Sequence, residues 1–153
     1  MTSLKNITRV SADLFVKNDS VSFDIAAVDY ALEKFVQGKI IPLRAVKDFT
    51  KFPPVENYSW NLFLLESFLK KYSEKFIFDT TYISSSNIGA IYPKSMKFTD
   101  YLDVQVAAVI QEKILLEPEA VGNFLVGEGY RGQRSAKIIQ RVIQQAKKIL
   151  SLE

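Results

Sequence analysis

The sequence predicts a mainly α fold: a single compact helical domain of five or six helices, with a small β-hairpin or irregular insert at 77–97. Three observations predict it. A length of 153 residues with 48% hydrophobic and 24% charged residues is that of one ordinary globular domain with a sizeable core. Apolar residues recur at helical spacing in several stretches, some of them bounded by Gly or Pro. Strand-prone sequence is limited to the segment after residue 76 and to Ser11–Lys17, which reads as a short strand or as an arm lying on the core.

The stretch 57–76 is expected to be the central core helix. Tyr58, Leu62, Leu65, Leu69, Tyr72 and Phe76 form one stripe, which Trp60, Leu64 and Phe68 widen to about half the circumference. Residues 1–20 read as a loosely ordered N-terminal arm, and 21–153 as the helical domain. That domain divides into N-terminal helices (21–76) and a C-terminal three-helix part (98–153).

In order, Ser22 fits the cap of a helix from Phe23 to about Gln37, with Ile25, Val28, Leu32, Phe35 and Val36 buried and Asp29 turned outward. Pro42 suits the first turn of a short helix carrying Leu43, Val46 and Phe49, before Pro53-Pro54. Phe76–Ile83 is β-prone, Ser84–Asn87 signals a turn, and Ile88–Tyr92 returns as a strand or makes a helical turn. Thr99 caps a helix to about Lys113, Pro118 opens another to about Val126, and the last runs from about Gln133.

Absences bound the chemistry. Without cysteine there is no disulfide, thiolate nucleophile or cysteine zinc site, and without histidine no imidazole base or histidine-held metal. This weighs against an enzyme and leaves open only a carboxylate- or Mg²⁺-dependent activity. No catalytic residue, metal ligand or cofactor is assigned. No apolar run reaches membrane-spanning length and the N-terminus carries no apolar signal run, so a cytoplasmic, non-membrane location is expected.

The charge distribution is the strongest functional signal. Between 100 and 128 the acids are Asp100, Asp103, Glu112, Glu117, Glu119 and Glu128, against Lys113 alone. Between 131 and 148 the bases are Arg131, Arg134, Lys137, Arg141, Lys147 and Lys148, with no acid. On a helix, Arg134, Lys137, Arg141 and Lys148 fall within about 60° of each other, opposite Ile139, Val142, Ile143 and Ala146. Such a ridge suits phosphate contact, with Tyr130, Arg131 and Gln133 adding contacts at its start. A solvated face, or one satisfied by the chain's own acids, is the plainer alternative. The helices at 118–126 and 133–150 share only the layout of a helix-turn-helix, since the Gly127–Gly132 turn carries three glycines and the last helix is long.

Elsewhere, Asn61 within the apolar stripe needs a partner, and Glu66 with Lys70 reads as a surface pair. Asp100 and Asp103 read as helix-start charges before they read as a Mg²⁺ site. Phe63 is a candidate partner-binding spot, or lies under the N-terminal arm. The leading functional expectation is a non-catalytic nucleic-acid-binding, DNA-binding module or accessory subunit. The alternative is a protein-interaction or regulatory subunit of a larger complex, using its acidic 100–128 and basic 131–148 surfaces.

Overall fold

The fold is organised by a three-stranded antiparallel sheet with helices on both faces. The structure is a computed structural model that describes residues 6–81 and 87–152. The chain runs β1 (Ile7–Arg9), β2 (Phe15–Lys17), α1 (Ile25–Val36), β3 (Ile41–Pro42), α2 (Leu62–Lys71), β4 (Phe76–Asp79), β5 (Ala90–Pro93), α3 (Tyr101–Gln111), α4 (Pro118–Gly127) and α5 (Ala136–Ser151). The sheet order is β3-β5-β4, and β1 and β2 pair as a separate hairpin. This is a mixed α/β domain, which corrects the mainly α, all-α expectation. The expected turn at Ser84–Ser86, and the strand's extension through Ile83, lie outside the described residues.

The sheet exists because its residues alternate between two cores. Ile91 on β5 and Phe76 and Phe78 on β4 join the core built by α1 and α2. Ala90 and Tyr92 on β5 and Ile77 on β4 join the core built by α3, α4 and α5. A side-chain period of two sends neighbours to opposite faces, so one strand serves both layers. The Tyr92 hydroxyl donates to Asp79 Oδ2 at 2.9 Å across the hairpin. Burial first, and this carboxylate second, push the Tyr92 hydroxyl pKa up.

The short helix expected after Pro42 is instead an edge strand followed by a 3-10 turn at Leu43–Ala45. The residue before a proline is driven to extended conformation, and a proline without N–H is tolerated at a sheet edge. Ile41 pairs with Ile91 and Pro42 with Ala90.

Helix α2 is central, with Leu64 to Leu69 all buried, but it is shorter than the 57–76 expected. Asn57 takes the left-handed region at φ 73°. Asn61 is the N-cap: its side-chain oxygen accepts from Phe63 N and Leu64 N, and its amide donates to Val10 O at 2.8 Å. Trp60 therefore precedes the helix and stacks on Phe49, with ring centroids 6.1 Å apart. Glu66 is buried rather than on the surface, paired with Lys70 at 3.5 Å. The β1–β2 hairpin lies along this helix, where Ser67 Oγ donates to Arg9 O at 2.7 Å and Lys71 Nζ donates to Ile7 O.

Asp29, expected to face outward, is 1% exposed and ties α1 to the end of α2. Its carboxylate accepts from Ser73 Oγ at 2.7 Å, Glu74 N at 2.9 Å and Lys75 N at 3.2 Å. Three donors converge on one buried anion, which satisfies the backbone as it turns from α2 into β4.

Two substitutions test this frame. Asp29→Ala strands these donors and is expected to remove about 3 kcal/mol of unfolding free energy in a urea titration, against under about 1 kcal/mol were water to replace the carboxylate. At Gly89, φ is +154° and an added Cβ would lie 2.5 Å from the Phe78 ring and 2.7 Å from Asp79 O. Gly89→Ala is accordingly expected to cost about 2–3 kcal/mol by the same titration; a cost within error would mean β5 does not approach β4 so closely.

Candidate functional site

The start of α5 decides which of the basic residues act together. Ser135, with φ −136° and ψ 113°, is the N-cap and its side chain accepts from Ile138 N. The helix therefore begins at Ala136, and Arg134 stands outside it. Freed from the helical register, Arg134 donates to Asn123 Oδ1 on α4. Its guanidinium lies over Gly122, whose missing side chain makes the room. Lys137, Arg141 and Lys148 remain as an exposed row on the outer face of α5. None of the three is in an ion pair; among the described residues the ion pair formed is Lys70–Glu66.

The other residues expected at this surface separate. Gln133 is exposed, and Arg131 is half-buried with Nε donating to Gln133 O at 3.4 Å. Tyr130 is 1% exposed, its carbonyl accepts from Tyr101 Oη at 2.6 Å, and its ring centroid is 5.5 Å from that of Phe124. It is a core residue and does not reach a ligand at the ridge. Burial, then the nearby Glu112 and Glu128 carboxylates, push its hydroxyl pKa up. Phe63 is half-buried beneath the Arg9 guanidinium, 4.3 Å from its ring centroid, so the N-terminal hairpin already covers it. Asp100 is the α3 N-cap, accepting from Asp103 N at 3.1 Å.

The structure adds a feature that linear spacing did not disclose. Beside the basic row, α3 and the C-terminal part of α5 leave an open groove of about 570 Å³, walled by Phe98, Val106, Ala107, Ile110 and Ile149. Asp103 stands on its α3 side and Gln145 on its α5 side. Gln145 lies four residues after Arg141 and three before Lys148, so the row borders the groove along one wall. Apolar exposure continues past it, with Ile149 38%, Leu150 41% and Leu152 80% exposed. The sequence signal for this was present: α5 carries more apolar residues than one core-facing stripe needs.

The groove supplies apolar area and the row supplies charge, while Lys97, Thr99 and Asp103 add polar groups at the α3 wall. Among the described residues there is no group of three or more acids placed to hold a metal, and no helix is long and apolar enough to cross a membrane. No family model, curated protein or solved structure matches this chain, so its site is read from its own residues.

Proposed function

We propose that this chain is a non-catalytic binding module that docks an acidic amphipathic helix of a partner protein along α5. The observation that carries the reading is that Gln145, which lines the α3/α5 groove, lies one helical turn from both Arg141 and Lys148. A helix laid in such a groove presents apolar anchors at i, i+3, i+4 and i+7. Its acids would face the α5 row, while Asp103 on the opposite wall disfavours acids there and sets its orientation. Neutralisation in trans accounts for cations that the fold leaves unpaired.

A second reading, nucleic-acid binding by the same row, is favoured by the three cations Lys137, Arg141 and Lys148, which are free of internal acids. Phosphate contact would not use the groove, and Arg134 is engaged with Asn123. Three contacts imply a log–log salt slope of about −3.

Titration of a labelled Leu/Glu amphipathic helical peptide, its scrambled form, and single- and double-stranded oligonucleotides at two salt concentrations separates the readings. The helical peptide is expected to bind and the scrambled one not. Ala107→Glu, which blocks the groove, should abolish that binding, and Arg141→Glu with Lys148→Glu should weaken it about tenfold or more. Oligonucleotide binding with a slope of about −3 that survives Ala107→Glu, with no peptide binding, would replace the first reading by the second.

A further inference from the structure

On the side of the domain served by α1, three helices end at one cleft. It has a volume of about 300 Å³ and includes Gln37 after α1, Glu112 after α3 and Glu128 after α4. These are the C-caps of the three helices. A helix C-terminus carries the negative end of its dipole, and natural sequences place Lys, Arg or His there. Neither α3 nor α4 has a basic residue in its last turn, and each is followed instead by a glutamate. Two carboxylates thus stand where the fold's own electrostatics disfavour them. Neither is in an ion pair among the described residues. Lys39 is the cation on the rim.

A second, independent feature points inward. The hydroxyl of Tyr130 makes no hydrogen bond among the described residues, although the residue is 1% exposed and lines the cleft. Glu112 and Glu128 line the same cleft, and burial first, then these two carboxylates, push the hydroxyl pKa up. The hydroxyl is left for water or a ligand in the cleft to meet. Aromatic and apolar faces from Phe35, Phe124 and Pro42 complete the walls. The floor is held by Gln111, whose amide pairs both ways with the Ile40 backbone, accepting from N at 2.9 Å and donating to O at 2.8 Å. Gln111 Nε2 also donates to Glu112 Oε2 at 3.1 Å, orienting that carboxylate.

We infer that this cleft binds an ammonium or guanidinium group carried on an apolar stem. The carboxylates and the helix ends supply the field, the Tyr130 hydroxyl accepts a hydrogen bond, and the aromatic rings cover the stem. The cation comes either from a free amine or from a Lys or Arg side chain of another protein. Gln111 is shared with the groove between α3 and α5, but Glu112, Glu128 and Tyr130 line the cleft and not that groove, so variants at these three test the cleft separately.

The test is an NMR titration of the full chain, following the Tyr130 ring and the Glu128 amide. The probes are n-butylammonium and n-butylguanidinium, a short blocked peptide with one Lys or Arg, and the matching neutral compounds n-butanol and a norleucine peptide. The cationic probes are expected to shift these signals saturably and the neutral ones not. Binding by the amines alone assigns a small-molecule source, and binding by the peptides a protein source; either supports the site. Glu112→Gln with Glu128→Gln should weaken binding about tenfold or more while leaving the thermal midpoint unchanged or raised. Tyr130→Phe should weaken binding without loss of stability, because the hydroxyl it removes has no partner in the fold. Equal shifts from the neutral probes, no shift from any cation, or a double variant of lowered midpoint would overturn the inference. The last result would mean that the two carboxylates are held by the protein's own charges.

Discussion

The structure depends on the burial of both faces of β5. Ala90, Ile91 and Tyr92 are each 4% exposed or less, and successive residues enter opposite cores. One strand therefore couples α1 and α2 to α3, α4 and α5. Because it lies between β3 and β4, its backbone is also satisfied on both edges. The close approach at Gly89 belongs to the same constraint: its carbonyl accepts from Leu43 N at 2.9 Å and its amide donates to Gly129 O at 3.0 Å. The strand, the edge at β3 and the loop after α4 are thereby fastened at one point.

The helical elements were legible in the sequence because amphipathic periodicity is a local property. Pro118 at the start of α4 is read correctly from the chain alone, while Gly127, expected to break that helix, is its last residue. What was not legible depended on partners distant in sequence. Ile41-Pro42 reads as the start of a helix until β5 is present to pair with it. Asp29 and Glu66 read as solvated because charge usually is, and only the packing shows that each is buried with its partners. Asn61 was correctly expected to need partners, but its role is that of a helix cap, a preference the residue type itself announces.

The site shows the same division at finer grain. A helical wheel placed Arg134, Lys137, Arg141 and Lys148 on one face, and that geometry holds only from Ala136 onward. Ser135 was the available signal, since a serine ahead of an apolar-periodic run is a strong cap. One misplaced boundary added a cation to the row that in fact leans on α4. Tyr130 was drawn to the surface by the basic residues beside it, whereas the Gly129 turn, with φ 89°, carries it into the core. The surplus of apolar residues on α5 hinted at an uncovered face, but the groove itself was not legible, because its walls come from residues 97–111, Gln145 and Ile149, which tertiary packing alone brings together.

The distribution of charge supplies the last step. A domain with 20 basic and 17 acidic residues has ample material for internal ion pairs, yet in the last third of the chain acids and bases are largely kept apart. The bases run along the outside of α5, while Glu112 and Glu128 end α3 and α4 at the opposite-signed disadvantage of a helix C-terminus, each costing about 0.3–1 kcal/mol. Interchanging a few residues would pair these charges and relieve both helix ends at no expense to the core, since none of these side chains contributes to it. Stability does not explain the arrangement. Both sets of charges belong to the helices packed in one core against the sheet, so the doubly buried strand holds the basic row and the two glutamates at a constant separation, as two binding surfaces that do not compete for contacts would require.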